Sequence, residues 1–352
     1  MNTSLVKITR LNEWKNYIIP FLLGIIFLSV YIYEIPFNLV LRFTGLFLVS
    51  IFGTAAYGYF LNNIFDLKED RLAGKSNFTG NLSWIAKTSF VLIFIALALV
   101  PWLFLPTAFL NFGLFVLQLV LLTLYSLPTI RFKRLVYAGV IIDALYNSVI
   151  MVLVIVFTVY LAGERPIYNQ GLILAILIMS IFLKGFRGIL LHQLADRKNN
   201  RKSGLQTFVL RCGPLKSFNL INRIVLPIEI LFNGLLTWLL SKYLPGIVWL
   251  YSAFLFYKAL KFRFWNIRHL IRWEFKFYRF VFLQSMNDWY EEWLPMFALV
   301  LLAIKDLHFL FLLIPYVLLF PAFFIKLYKD IPETVLNFKN DFNNKFLVSE
   351  HS

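Results

Sequence analysis

The chain consists largely of long apolar runs that alternate with short polar segments. A helix needs about 20 mostly apolar residues to cross a membrane, and ten runs approach that length. These runs cover residues 14–33, 38–61, 83–105, 110–127, 137–161, 170–191, 217–240, 246–261, 290–305 and 308–327. The ninth run is short enough to be a tilted or re-entrant segment. The pattern therefore predicts an all-α fold, a polytopic transmembrane bundle of nine or ten helices.

Basic residues are concentrated in every second polar segment. Lys7, Arg10 and Lys15 precede the first run, and further clusters follow the second, fourth, sixth, eighth and tenth runs. The segments between them, such as 101–111 and 162–171, are nearly free of basic residues. Because positive charge favours the cytoplasmic side, we expect a multi-pass protein of a bacterial inner membrane with these clusters in the cytoplasm.

The composition agrees with a membrane protein and excludes several other classes of protein. Hydrophobic residues make up 60% of the 352 positions and charged residues only 15%, which is too apolar for a soluble domain. The net charge of +16 lies in the clusters described above, so no nucleic acid partner is expected. Cys212 is the only cysteine, which excludes an intrachain disulfide and a cysteine-rich metal site.

A short polar ladder follows the second apolar run and returns after the sixth. Its first copy has Asn62, Asp66 and Asp70, and its second copy has His192, Asp196 and Asn200. The offset of 130 residues (196 − 66) also aligns Arg71 with Arg201 and Gly74 with Gly204. Residues four apart share a helix face, so each copy presents metal-capable side chains on one face. One ladder alone is typical of a solvated helix end, but the duplication favours a functional site that holds divalent cations and a polyanion.

With the ladders placed after the second and sixth helices, the chain resembles the UbiA-type intramembrane prenyltransferases. The family motif N-D-x-x-D-x-x-x-D corresponds to Asn62-Asn63-x-x-Asp66-x-x-x-Asp70, and D-x-x-D-x-x-x-D corresponds to Gln193-x-x-Asp196-x-x-x-Asn200. The segment from Tyr125-Ser126 to Arg131-Phe132-Lys133 is similar to the family's Y-S-x-P-x-x-R-x-K. Asn63, Gln193 and Asn200 stand where the family commonly has aspartate, so this site carries less negative charge. The basic-Pro sequence that usually follows Lys75 is also replaced.

The resemblance implies Mg²⁺-dependent transfer of a prenyl group from a polyprenyl diphosphate to a lipophilic acceptor, for which we expect an aromatic compound or a quinone precursor. It implies two related halves around a central cavity, with Asp66, Asp70 and Asp196 as the catalytic residues. The expected metal ligands are Asn62, Asn63, Asp66, Asp70, Gln193, Asp196 and Asn200. The expected substrate contacts are Arg71, Lys75, Tyr125, Ser126, Arg131, Lys133, His192 and Arg201.

Other functions remain open at this point. A catalytically degenerate relative that binds or transports isoprenoid lipids is one, because transporters often contain internal repeats and amides are weaker metal ligands than carboxylates. Alcohol phosphotransfer is disfavoured, since that family has glycine directly after the corresponding aspartate, whereas Arg71 follows Asp70. Asp143 inside the fifth run either pairs with Lys184 or Arg187, or binds the acceptor.

The chain divides into four predicted regions. Residues 1–257 form the bundle that carries both ladders, and residues 258–289 form a basic, aromatic helix in the headgroup layer. In that helix Lys261, Arg268, Arg272, Lys276 and Arg279 share one face. Residues 290–329 add C-terminal transmembrane helices, and 330–352 form a polar, loosely ordered cytoplasmic tail.

Overall fold

The computed structural model describes residues 3–163, 170–264 and 282–349, and these residues are helical without any strand. The helices are α1 Thr3–Thr9, α2 Leu11–Tyr33, α3 Phe37–Phe65, α4 Leu67–Ala73, α5 Trp84–Leu99, α6 Phe109–Ser126, α7 Ala138–Ala162, α8 Gln170–Ala195, α9 Arg197–Lys202, α10 Phe208–Cys212, α11 Pro214–Leu240, α12 Ile247–Phe264, α13 Leu294–Lys305, α14 Leu310–Leu319 and α15 Ala322–Ser349. Single π-turns interrupt α7 at Leu145–Val149 and α11 at Ile221–Val225, and another precedes α13 at Trp289–Trp293. The predicted all-α membrane bundle is confirmed.

Within the described residues, seven helices are individually long and apolar enough to cross a membrane. They are α2, α3, α5 with its extension to Leu103, α6, α7, α8 and α11. The pair Leu307–Leu319 and Ala322–Pro332, bent by 60°, supplies an eighth candidate. The ninth predicted run contains α13, which has only 12 residues. The seven or eight candidate spans are thus close to the predicted nine or ten.

Helix α2 occupies the centre of the bundle. Every residue from Pro20 to Val30 is buried, and the helix packs against α7 on one side and α13 on another. A helix that is apolar all round suits either a lipid-facing span or a position enclosed by other helices, and α2 takes the enclosed position. A β-carbon at Gly24 would lie 2.8 Å from the Pro295 ring of α13, so the absence of a side chain there permits close packing.

Helices α3 and α5 form the tightest described helix pair. A β-carbon on Gly53 would lie only 2.3 Å from the backbone nitrogen of Ala98. Ser50 donates its hydroxyl to the Ala98 carbonyl at 2.8 Å, and the Trp102 indole donates to that hydroxyl oxygen at 3.2 Å. In a membrane, small residues and polar side chains of this kind hold helices together because the lipid gives little hydrophobic driving force.

Buried ion pairs join the later helices of the bundle. Arg187 of α8 makes a bidentate pair with Glu229 of α11 at 2.6 and 2.9 Å, and both side chains are fully buried. Lys184 lies 3.7 Å from Glu291. The predicted pairing of Asp143 with Lys184 or Arg187 is therefore wrong. A buried charge requires a close partner, and Glu229 and Glu291 supply it from helices that the sequence did not place nearby.

The C-terminal region differs from the sequence prediction. Helix α15 runs from Ala322 to Ser349, so the tail predicted from residue 330 is helical, while its loose order stays a prediction. Asp330 is held by ion-pair contact with Lys261 and by the Tyr257 hydroxyl. Residues 265–281 of the predicted headgroup helix lie outside the described residues, while its beginning is the end of α12. There Lys261 is buried against α15.

Candidate functional site

The sequence repeat is also a structural repeat. Asp66 separates α3 from α4 with φ −94° and ψ 6°, and Asp196 separates α8 from α9 with φ −86° and ψ 4°. A glycine in the left-handed region follows each short helix, with φ 72° at Gly74 and 71° at Gly204. An L side chain is disfavoured at that φ, which explains glycine at both positions. Each ladder is thus a membrane helix, a break at aspartate and a short capped helix.

Backbone hydrogen bonds at the ends of the short helices match as well. The amide of Lys75 donates to the Asp70 carbonyl at 2.8 Å, and the amide of Leu205 donates to the Asn200 carbonyl at 3.0 Å. This bond, from the residue after the left-handed glycine back to the third ladder position, is the C-terminal cap of a Schellman motif. The caps end the two short helices at equivalent places in the repeat, after seven residues in α4 and six in α9.

The two ladders lie next to each other. Helix α4 contacts α9, and the Lys75 ammonium donates to Asp196 Oδ2 at 3.1 Å. Burial favours the neutral acid, but the hydrogen bond and charge of Lys75 outweigh it, so the pKa of Asp196 is lowered. His192, the first residue of this ladder, has its Nε2 3.9 Å from the same carboxylate oxygen. Asp196 is therefore ionised and is shared between the two halves.

The loop after α6 is docked on the first ladder. Arg131, in the left-handed region at φ 47°, donates to Asp66 Oδ1 at 2.8 Å and to Glu69 at 2.5 Å. The Lys133 ammonium also contacts Asp66 Oδ1. Burial lowers the pKa of Lys133, whereas the two carboxylates overcome the effect of burial on Arg131 and raise its pKa. The sequence analysis singled out Arg131 and Lys133, but it did not identify Glu69, which helps to hold this loop.

Asn77 is a second residue that sequence reasoning missed. Its amide donates to Asp70 Oδ2 at 2.8 Å and to the Asn63 carbonyl at 2.8 Å, which holds the third ladder residue in place. Burial raises the pKa of Asp70, and the hydrogen bond from Asn77 opposes that change. The available signal was the unusual segment after Lys75, where Asn77 replaces the family's basic-Pro sequence.

The neutral ladder residues have different surroundings. Asn62 Oδ1 accepts from Lys133 at 3.1 Å and lies 3.5 Å from the Ser126 hydroxyl. The amide of Asn63 donates to the Ile8 carbonyl at 3.5 Å, and the buried Gln193 accepts the Val209 amide at 3.3 Å. Asn62 thus belongs to the charged centre, whereas Asn63 and Gln193 tie the ladders to α1 and α10. Metal-ligand roles for Asn63, Gln193 and Asn200 stay predictions.

A cavity of about 420 Å³ leads from the ladders into the bundle. The first residues of both ladders, Asn62 and His192, lie on its wall, as do Tyr125 and Ser126. Helices α2, α3, α6, α7 and α8 supply most of the remaining wall, which includes Arg10, Glu13, Tyr17, Phe21, Tyr59, Gln118, Asp143, Tyr146, Asn147, Met151, Lys184, Gly188 and Asn287. An elongated molecule with a polar head and an apolar body would find matching surroundings here.

A second pocket of about 510 Å³ lies beside α9 and α10. Asn200 and Arg201 line this pocket together with Arg197 and Lys198, and none of the four lines the central cavity. Arg71 is exposed on α4 and does not line the cavity either. Of the predicted substrate contacts, the structure brings Tyr125, Ser126 and His192 to the cavity and Lys75, Arg131 and Lys133 to the ladder carboxylates.

The ladder oxygens suit a magnesium ion that also binds substrate. No group of three or more His, Cys, Asp or Glu side chains in the described ranges is arranged to hold a metal by itself. Mg²⁺, however, usually binds through one or two carboxylates together with water and substrate phosphates. Both cations at Asp66 contact Oδ1, and no residue in the described ranges donates a hydrogen bond to Oδ2. The residues therefore fit a metal that is completed by a diphosphate.

Comparisons with known proteins agree with the geometry. A sequence model of the UbiA prenyltransferase family matches residues 17–285. The fold is similar to a UbiA homologue from Archaeoglobus fulgidus solved with DMAPP and Mg²⁺, at 16% identity and a TM-score of 0.55, covering 83% of this chain and 99% of the other. It is also similar to a digeranylgeranylglyceryl phosphate synthase, at 18% identity and a TM-score of 0.51, with coverage of 84% and 96%. No curated protein matches the sequence.

Proposed function

The chain belongs to the UbiA prenyltransferase family, and from this premise we propose that it moves a prenyl group from a polyprenyl diphosphate to a lipophilic acceptor in the membrane. We propose an aromatic compound or a quinone precursor as the acceptor. One observation carries the proposal: two matching carboxylate ladders lie side by side, and their first residues line a cavity inside the membrane bundle.

The diphosphate is proposed to bind between α4 and α9. Asp66, Asp70 and Asp196 would hold Mg²⁺, with Asn62 as a neutral oxygen ligand beside them. Bound Mg²⁺ would neutralise charge as the diphosphate leaves. The cations Lys75, Arg131 and Lys133 already lie against these carboxylates and would contact the phosphate oxygens as charge-assisted donors. Arg71 and Arg201 would add positive potential from the surface, where screening by salt is strong.

The cavity is proposed to hold the prenyl chain and the acceptor. Tyr17, Phe21, Tyr59, Tyr125 and Tyr146 contribute aromatic rings to its wall. An allylic cation that forms when the diphosphate leaves is stabilised by about 0.5 to 2 kcal/mol per ring face. The surrounding membrane helices exclude water, which would otherwise capture that cation.

We further propose that the ladders lie on the cytoplasmic side of the membrane. The basic loop that contains Arg131, Lys133 and Arg134 is on the same end of the bundle as both ladders, since it binds Asp66 and Glu69. The positive-inside rule assigns such loops to the cytoplasm. A donor made in the cytoplasm would then reach the site directly.

The proposal is tested by replacing the ladder aspartates singly. Transfer of label from radioactive geranyl diphosphate into membrane lipid should fall at least about 100-fold in Asp66→Ala and Asp196→Ala, the effect expected when a group that stabilises the leaving charge is lost. The isosteric Asp66→Asn and Asp196→Asn separate loss of charge from loss of fold. Asp306→Asn, an exposed aspartate outside the ladders and the cavity, is the charge-matched control. Unchanged transfer in the ladder variants would refute the assignment.

A second candidate is a family member that binds isoprenoid lipids without catalysis. It is favoured by the neutral ladder positions, because Asn63 and Gln193 engage backbone groups of α1 and α10. Such a protein would bind a prenyl diphosphate analogue equally well with Mg²⁺ and with EDTA, whereas the enzyme requires the metal for tight binding.

A further inference from the structure

Asp143 is a buried carboxylate on the wall of the central cavity. The residue is 8% exposed, and Oδ1 accepts a hydrogen bond from the Tyr146 hydroxyl at 2.9 Å. In the described part of the chain, no Lys, Arg or His nitrogen lies within 4.0 Å of this carboxylate. The neighbouring intramembrane charges differ, since Arg187 pairs with Glu229 and Lys184 with Glu291. An ionisable group that is kept inside a membrane without a counter-charge is expected to have a function.

The backbone around Asp143 is fixed by close helix packing. Asp143 precedes the π-turn Leu145–Val149 of α7, and π-turns often occur at functional sites. Opposite this turn, a β-carbon on Gly185 of α8 would lie 2.7 Å from the Ser148 hydroxyl and 3.1 Å from the Ala144 α-carbon. The contact leaves little freedom for this part of α7, so Asp143 is held in one position on the cavity wall.

A series of contacts connects Asp143 to the first ladder. The ring of Tyr146 packs against Tyr125 with centroids 5.3 Å apart. Tyr125 is followed by Ser126, whose hydroxyl lies 3.5 Å from Asn62 Oδ1. Asp143 therefore lies on the same wall as the proposed diphosphate site but deeper in the bundle, where an acceptor would meet the first carbon of the prenyl chain.

From this placement we propose that Asp143 accepts the proton that the acceptor loses, and that the acceptor is an uncharged molecule with a hydroxyl group. The inference rests on the proposed function. The bond between the first prenyl carbon and the diphosphate oxygen breaks, and its electron pair leaves with the diphosphate. The hydroxyl oxygen forms the new bond to that carbon, and its proton moves to a carboxylate oxygen of Asp143. An acceptor with a carboxylate at this end would be repelled by Asp143.

Two measurements on the same variants test the inference. The first is Mg²⁺-dependent binding of geranyl S-thiolodiphosphate, a donor analogue that resists transfer. The second is the kcat and KM for label transfer from geranyl diphosphate into lipid of native-cell membranes. In Asp143→Asn, which keeps the size of the side chain, we expect analogue affinity within twofold of wild type and a kcat lower by about 10²- to 10⁴-fold. Asp143→Glu should recover part of that loss.

Asp306→Asn is the matched control, because it removes a carboxylate in the same way at an exposed position outside the cavity. Its kcat should change less than about tenfold. A transfer rate in Asp143→Asn within threefold of wild type would overturn the inference. An equal loss of analogue binding and of transfer would also overturn it, because that result indicates a role in packing. If the ladder variants Asp66→Asn and Asp196→Asn bind the analogue and transfer normally, the proposed function fails instead. A wild-type protein that binds the analogue but transfers nothing would overturn both.

Discussion

At the residue scale, single side chains have contacts that the sequence order does not reveal. Asp66 contacts Arg131 and Lys133, which are more than 60 positions away, and Asp70 is held by Asn77. The resemblance to the family indicated Arg131 and Lys133, because they are part of its motif. Asn77 and Glu69 are not, and only the folded chain shows that Asn77 binds Asp70 and that Glu69 binds Arg131.

The Lys75–Asp196 pair is predicted to act on substrate rather than on stability. The two side chains are 39% and 30% exposed, and such pairs contribute only about 0 to 1 kcal/mol. Lys75→Ala should therefore unfold at nearly the wild-type temperature in detergent. Its affinity for a prenyl diphosphate analogue should fall about three- to tenfold, and less at high salt. Lys68→Ala replaces an exposed lysine on α4, the short helix that Lys75 follows, and should change neither property. Equal losses in both variants would contradict a specific contact of Lys75.

The Glu69–Arg131 pair is predicted to give an acid-dependent contribution to stability. Burial would raise the pKa of Glu69, but the hydrogen bond and charge of Arg131 outweigh it and the pKa is lowered below its ordinary value of 4.5. A carboxylate with a lowered folded-state pKa stabilises the fold fully above the unfolded-state value, and the contribution is lost as the pH falls through the folded-state pKa.

Melting temperatures of wild type and Glu69→Gln across pH test this sign. The wild type should melt higher at pH 6 to 7, and the difference should shrink as the pH is lowered below about 4.5. A difference that stays constant down to pH 3 would show that Glu69 acts through packing instead of charge.

At the element scale, the apolar runs predicted the helices well. The run 38–61 corresponds to α3, Phe37–Phe65, and the run 170–191 corresponds to α8, Gln170–Ala195. Both helices extend past the apolar run and end at the ladder aspartates. Hydropathy cannot show this, because the last turn of each helix contains two polar residues that end the apolar run, Asn62 and Asn63 in α3 and His192 and Gln193 in α8. The π-turns in α7 and α11 were also not predicted, since they arise from packing against neighbouring helices.

Close packing of α3 against α5 predicts a large cost for one added methyl group. In Gly53→Ala the new carbon would meet the Ala98 backbone nitrogen at 2.3 Å, and backbone cannot move aside as a flexible side chain can. We expect a loss of about 1 to 3 kcal/mol of stability. Gly45→Ala in the same helix is the control, because nothing lies within 4 Å of that position. Thermal unfolding in detergent measures both, and equal melting temperatures would contradict the packing described here.

At the scale of the whole molecule, the C-terminal helices lie beyond the residues that the family model matches. The family match ends at residue 285, whereas α13 to α15 follow it. Helix α13 packs on α2, and α15 packs on α12. The sequence predicted that these helices exist but not where they attach, because Glu291, Asp288 and Asp330 find their basic partners only in the folded chain.

Ion pairs of largely buried side chains are predicted to stabilise the packing of these C-terminal helices against the bundle. Lys258 is 9% exposed and contacts Asp288, which Lys326 of α15 also binds at 2.7 Å. Lys258→Met should cost about 2 to 3 kcal/mol, less than the full loss of a buried partner because Lys326 remains. Lys305→Met removes a 48% exposed lysine from a pair with Glu34 and is the control. Equal stability of both variants, measured by chemical unfolding, would contradict a stabilising role of Lys258.

The most direct test of the central claim is calorimetric titration of the whole protein with geranyl S-thiolodiphosphate, with Mg²⁺ and with EDTA. If the two ladders hold a metal-bound diphosphate, the analogue should bind tightly only with Mg²⁺. Its affinity should fall at least about tenfold in either Asp66→Asn or Asp196→Asn. Binding that is equal with Mg²⁺ and EDTA, or unaffected in both variants, would contradict the account.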